Sequence, residues 1–121
     1  IDFSARDVQN ELKKKGLPWE KAKGFDRAAA ISSSFLPLSD WHDSKSIHFS
    51  LIKNGKPVQK GHSGLMIFDF DEIIAHISKY ITLKIGDLIY TGTPAGVGPV
   101  AIGDHLEGYL ENEKLLDFWI K

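Results

Sequence analysis

Val8 and Leu12 lie four residues apart, an apolar stripe of helical period, while Arg6, Gln9 and Lys13 fall together on another face. Ser4 is the expected N-cap of this helix, with Asp7 three residues on in a near capping box. Lys13, Lys14 and Lys15 suit the negative helix end, Gly16 supplies the stop and Pro18 follows it. Residues 25–37, rich in Ala and Ser with Ile31, Phe35 and Leu36, read as strand or extended chain up to Pro37, and residues 39–46 as a polar loop. Residues 47–51 alternate, Asn54-Gly55 is a strong hairpin signal, and Val58 continues the return strand. Helical spacing returns over residues 69–80 through Phe70, Ile73, Ile74 and Ile77. Residues 81–85 form a short apolar run. Gly86-Asp87 then turns into a strand at Leu88-Ile89-Tyr90, ahead of a Gly/Pro-rich loop. The tail, residues 105–121, reads as two strands joined near Glu111-Asn112-Glu113. The pattern predicts a strand-dominated α+β unit, a rolled sheet or sandwich, with residues 1–121 in a single domain free of repeats and linkers.

Composition narrows the function classes. With 121 residues, 42% apolar and 26% charged, the chain is ordinary for one globular core. A net charge of -1 gives no long-range attraction for nucleic acid or an anionic membrane. No apolar run approaches the ~20 residues that span a bilayer. The absence of cysteine excludes disulfides and thiolate metal sites and accords with a cytoplasmic setting, so any metal must bind through oxygen or imidazole. Ile1, Asp2 and Phe3 look like the tail of a strand, which leads us to expect the later part of a longer polypeptide.

Four places carry residue types suited to chemistry. Asp2, at a strand end just before a helix, is in a common position for a Mg²⁺, Mn²⁺ or Ca²⁺ ligand, although a lone Asp there is more often a cap or a solvated group. Arg6 can grip a carboxylate with two parallel bonds, and Gln9 on the same helix face can donate an amide N–H to an oxyanion; the plainer reading is an exposed polar face. Lys23, between a Trp19-containing segment and Gly24-Phe25, could serve as an acid or stand as a cation beside an enolate, where most lysines are simply solvated. In the stretch from Thr91 to Pro99, Gly92, Gly96 and Gly98 permit tight turns, and the N–H and hydroxyl of Thr93 could bind a carboxylate. No Lys-Ser/Thr ending and no helix follow, so this is not a phosphate loop of the P-loop type.

Other groups are better read as structural. Glu111 and Glu113 flank a hairpin turn, and His42 and His48 match no zinc spacing. Asp69, Asp71 and Glu72 decorate a helix start, and His62 and His76 have no evident partners.

In this order the motifs resemble the C-terminal part of the fumarylacetoacetate hydrolase superfamily. Asp2-Phe3-Ser4-Ala5-Arg6-Asp7-Val8-Gln9 looks like its Asp-x-[Ser/Thr]-Ala-Arg-Asp-x-Gln segment, and Leu17-Pro18-Trp19-Glu20-Lys21-Ala22-Lys23-Gly24-Phe25-Asp26 is similar to the segment bearing its active-site lysine. Asn54-Gly55 with Gln59, Gly61, Ser63 and Met66-Ile67-Phe68 resembles its hairpin and helix entry. Thr91-Gly92-Thr93-Pro94-Ala95-Gly96-Val97-Gly98-Pro99 resembles its substrate loop. The likeness favours the smaller, acylpyruvase-like or dienedioate isomerase-like branch. Ser63 stands where many relatives have Thr, and Ala28-Ala29-Ala30 replaces a stretch that often includes Cys-Pro.

The resemblance implies a β-sandwich or roll of the family's C-terminal type, lacking its N-terminal part. It implies that Asp2 ligates Mg²⁺ or Mn²⁺, with the other ligands, an upstream Glu-x-Glu, outside this chain together with the acid–base His/Glu pair. Lys23 and Gln9 would then be catalytic, and Arg6, Gly92 and Thr93 substrate-binding. The implied activity is cleavage of C–C bonds in acylpyruvate-type 2,4-diketo acids, with decarboxylation or isomerisation of 2-keto acids close behind. The implied enzyme is a homodimer acting on a small 2-keto acid. The competing expectation is a non-catalytic binding or scaffolding domain that keeps the fold without a complete metal site. Residues 1–121 alone are expected to bind metal weakly and to turn over little.

Overall fold

The computed structural model describes residues 1–40 and 43–121. The chain divides into two compact units, Ile1–Ser32 and Ser33–Lys121.

In the first unit the opening residues run antiparallel to residues 28–30. The Ile1 nitrogen donates to the Ala30 carbonyl at 2.6 Å, and Phe3 N–H to that of Ala28 at 2.8 Å, around a bridge between Asp2 and Ala29. Ala5 N–H then donates to the Ala22 carbonyl at 3.0 Å, and helix α1 (Arg6–Lys14) starts directly after it. The N-cap is therefore Ala5, with no side-chain cap, where the sequence pointed to Ser4. The reason is tertiary: backbone pairing along residues 1–5 fixes how the chain enters the helix, and a hydroxyl cap is not needed to set it. The helix ends as expected, with Gly16 at φ 65° and its N–H bonded to Lys13 O at 3.2 Å. A short helix α2 (Glu20–Lys23), absent from the sequence reading, packs on α1 and buries Ala22. Over residues 25–37, read as strand or extended chain, the one strand-like pairing among the described residues is the Asp2–Ala29 bridge.

The second unit is organised by one antiparallel sheet of β1 (His48–Lys53), β2 (Lys56–His62), β3 (His105–Leu110) and β4 (Glu113–Trp119), in the order β2-β1-β3-β4. Positive φ at both Asn54 (52°) and Gly55 (74°) makes the β1–β2 connection the turn that the Asn-Gly pair predicts. That turn is tied to β3: Asn54 Oδ1 accepts from His105 N–H at 2.8 Å, and Asn54 Nδ2 donates to Asp104 at 2.7 Å. The Phe49 ring lies over its cross-strand partner Gly61, where any Cβ would overlap it. Leu106 on β3 is the fully buried side chain of this sheet.

Helix α3 (Phe70–Ile77) carries the capping box drawn by its acidic start: Asp69 accepts from Glu72 N–H at 2.9 Å and Glu72 returns the bond to Asp69 N–H at 3.0 Å. The strand expected at Leu88-Ile89-Tyr90 does not form. No strand lies beside these residues among the described residues, and a strand needs a neighbour to satisfy its backbone. The strand-dominated α+β class read from the sequence is the class observed.

Candidate active site

The first unit brings Asp2 and Lys23 together, 21 residues apart in sequence. Lys23 Nζ donates to Asp2 Oδ2 at 2.7 Å, with the side chains 36% and 46% exposed. Two local features hold this pair. The Asp2–Ala29 bridge fixes the carboxylate's backbone, and α2, anchored by buried Ala22, presents the lysine one residue later. Sequence spacing gave each residue separately but not their contact, because only three- and four-residue separations report proximity along a helix.

Arg6 and Gln9 also meet, as their spacing on α1 requires. Arg6 donates to Gln9 Oε1 at 3.1 Å. That bond orients the Gln9 amide so that its NH₂ group remains the outward donor. The pair therefore offers a guanidinium fork and an amide N–H, both suited to anionic oxygen.

In the second unit the Thr93 hydroxyl accepts from Gln59 Nε2 at 2.9 Å, and the same amide donates to the Pro94 carbonyl at 3.2 Å. Gln59 on β2 thus holds the glycine-rich loop from the sheet. Lys53 on β1 caps the loop's far end by donating to Pro99 O at 3.0 Å. Gly96 sits at φ 100° with its α-carbon against the backbone of Val58, where a Cβ would overlap the Val58 carbonyl oxygen. Gly92 has positive φ as well, whereas Gly98 does not. Gln59 was quoted from the sequence only as part of a motif. Its holding role across 34 residues leaves no local signal.

Glu111, His48 and His62 have structural partners. Glu111 accepts from the backbone N–H of His48 at 2.5 Å, which closes the end of β1 on the β3–β4 turn, and the His48 and His62 rings lie 4.3 Å apart across β1 and β2. His42, considered with His48, lies outside the described residues.

Asp2 suits a hard divalent cation as one oxygen donor. Among the described residues no group of three His, Cys, Asp or Glu side chains could complete a metal site, so a metal held by Asp2 needs its other ligands from elsewhere. No helix among the described residues is long and apolar enough to cross a membrane.

The Asp2–Lys23 and Arg6–Gln9 pairs of the first unit and, in the second, the glycine loop held by Gln59 all lie in the segments whose motifs carried the resemblance. The profile described as fumarylacetoacetate (FAA) hydrolase, C-terminal, matches residues 1–119, and the chain belongs to that family. It is 43% identical over its whole length to the mitochondrial oxaloacetate tautomerase of Mus musculus, of which it covers 54%. The structure of fumarylpyruvate hydrolase from Pseudomonas aeruginosa, in complex with Mn²⁺ and pyruvate, matches 98% of this chain and 51% of its own at TM-score 0.90 and 32% identity. That of 2-hydroxyhepta-2,4-diene-1,7-dioate isomerase from Mycobacterium marinum matches 94% of this chain and 43% of its own at TM-score 0.81 and 37% identity. The chain spans about half the length of the curated relatives it matches.

Proposed function

We propose that residues 1–121 form the substrate-facing portion of a catalytic domain that makes and protonates the enolate of a small 2-oxo acid. The observation that carries this reading is the Lys23–Asp2 pair at 2.7 Å: a fixed ammonium beside a carboxylate of the type that binds hard cations. Oxaloacetate is the first substrate to test, because the mouse relative is named for its tautomerisation. Cleavage of acylpyruvates, the activity that the sequence motifs placed first, comes next, since a fumarylpyruvate hydrolase shares the fold.

Tautomerisation, decarboxylation and C–C hydrolysis of such acids share a developing enolate oxygen, which explains why one site can serve all three. Lys23 stabilises that oxygen by its charge and Gln9 by an N–H bond. Arg6 holds a carboxylate with its planar fork. Thr93, with its hydroxyl oxygen already engaged by Gln59, keeps its O–H and backbone N–H to donate to a carboxylate. Asp2 would hold a Mg²⁺ or Mn²⁺ ion together with ligands from outside residues 1–121. Such an ion supplies Lewis-acid polarisation of the substrate's oxygens.

The test is an activity screen of the intact protein, with and without Mg²⁺ or Mn²⁺, against oxaloacetate, an acylpyruvate and a dienedioate, alongside its Lys23→Ala variant. Turnover of at least one acid that needs added metal and falls by ~10²–10³ in the variant is expected. A folded, metal-supplied protein inert toward all three acids would favour the non-catalytic binding domain instead.

A further inference from the structure

The glycine-rich loop is fastened to one hairpin at its entry, its middle and its exit. Gln59 on β2 holds the entry at Thr93 and Pro94. The β1–β2 register then skips a residue: Leu51 faces Gln59 and Ile52 faces Pro57, which leaves Val58 as a β-bulge. That skipped residue is the one whose carbonyl lies against Gly96 in the middle of the loop. Lys53, two residues beyond Leu51 on β1, holds the exit by donating to Pro99 O at 3.0 Å. Its ammonium also lies 3.6 Å from Asp104 Oδ2, an oxygen that already accepts from the Ala101 N–H at 2.8 Å, while Asp104 Oδ1 accepts from Asn54 Nδ2 at 2.7 Å. The Asp104 carboxylate is thus engaged by other donors, and the shorter contact of Lys53 is the one to the loop. An ion pair kept for stability alone would show the reverse.

We propose that Lys53 is a positioning residue for the carboxylate site: it fixes the loop's exit as Gln59 fixes its entry, so that the Thr93 donors stand in place before substrate arrives. The inference deepens the proposed function and rests on it. A loop tethered only at Thr93 keeps the backbone freedom of the residues beyond, Gly96 and Gly98 among them, and loses that freedom when a substrate carboxylate docks. With Pro99 pinned as well, the freedom is lost on folding instead, and substrate binding no longer has to offset it. Lys53 reaches Pro99 and Asp104 rather than a reacting atom, so its removal should weaken binding more than turnover.

The test compares Lys53→Met, which keeps the apolar stem and loses the donor, with Lys53→Arg, which keeps a donor, in the intact protein supplied with Mg²⁺ or Mn²⁺. One readout is hydrogen exchange of the peptide covering residues 95–101, with residues 105–110 of β3 as the internal reference. The other is KM and kcat for whichever of oxaloacetate, an acylpyruvate and a dienedioate the parent turns over. Lys53→Met should exchange at least roughly threefold faster over residues 95–101 alone. It should raise KM about three- to tenfold with kcat within about twofold, and Lys53→Arg should stay close to the parent in both readouts. Unchanged exchange in Lys53→Met, a rise shared by residues 105–110, faster loop exchange with KM unchanged, or a Lys53→Arg variant as impaired as Lys53→Met would each overturn the proposal. A parent inert toward all three acids would defeat the enolate reading alone, and the exchange comparison would then decide whether Lys53 holds the loop.

Discussion

At the scale of single residues, the Lys23–Asp2 bond is too exposed to be explained by stability. A pair with side chains 36% and 46% open contributes ~0–1 kcal/mol, since water and salt screen it. Lys23→Ala should therefore leave Tm almost unchanged while turnover by the intact enzyme drops, a split that thermal melts and steady-state kinetics read together. A large Tm loss would make the lysine structural. Gln59 makes a complementary case. It touches Thr93 and Pro94 rather than a reacting atom, so Gln59→Ala should weaken substrate binding through a loosened loop. An increase in KM of up to about tenfold with kcat less affected is expected, the equivalent of about one hydrogen bond. The sequence singles out Asp2, Arg6, Gln9 and Lys23 because motif and helix spacing are local, and the structure pairs Lys23 with Asp2 and Arg6 with Gln9. Gln59 was not, because its contact with Thr93 closes over 34 residues.

At the scale of elements, local chemistry wrote some structures in full. Asn54-Gly55 predicted its own turn, and the acidic run at Asp69, Asp71 and Glu72 marked a helix start, which the structure closes with a capping box. The Asn54 side chain adds two bonds to the start of β3 that no hairpin rule contains. Asn54→Ala should accordingly cost about 2 kcal/mol, roughly one for each lost bond, measured by urea denaturation. The glycine loop makes a different prediction. Gly96→Ala places a Cβ on the Val58 carbonyl at a φ that alanine resists, so the loop must move. The sheet's circular dichroism should persist while activity of the intact enzyme is lost; unchanged activity would remove the loop from the site. Strand propensity failed at residues 88–90 for a physical reason. A strand is a property of a pair, and alternation of Leu88, Ile89 and Tyr90 specifies a face without supplying a neighbour.

At the scale of the whole molecule, the α+β class followed from apolar periods of two and near four, whereas strand order and the pairing of residues 1–5 with residues 22–30 depended on long-range contacts that no local pattern encodes. The response to pH is set chiefly by contacts three residues apart, with longer-range partners second. Asp104 is held below its ordinary 3.8 chiefly by the Ala101 N–H and then by the Asn54 side chain. Asp69 is lowered by the Glu72 N–H and then by Lys45, and Asp117 by Lys114 and then His105. Each carboxyl thus releases its proton more readily folded than unfolded. The unfolded chain binds more protons in that range, so the stability these groups contribute is complete above 3.8 and is lost as pH falls through the lowered folded values. Lys114 works in the opposite sense: its pKa is raised by Asp117 and then Glu107, so its contribution is complete below 10.5 and is lost only as pH rises through a higher folded value. The carboxyl groups should therefore lower the melting temperature of residues 1–121 modestly as pH falls below about 4, their exposure to solvent keeping the effect small. Asp104→Asn, which cannot ionise, should melt lower than the parent at neutral pH and show a flatter acid limb. If parent and variant descend in parallel below about pH 4, Asp104 is not a source of the acid sensitivity, and the link between the Asn54 turn and the start of β3 contributes nothing through its charge.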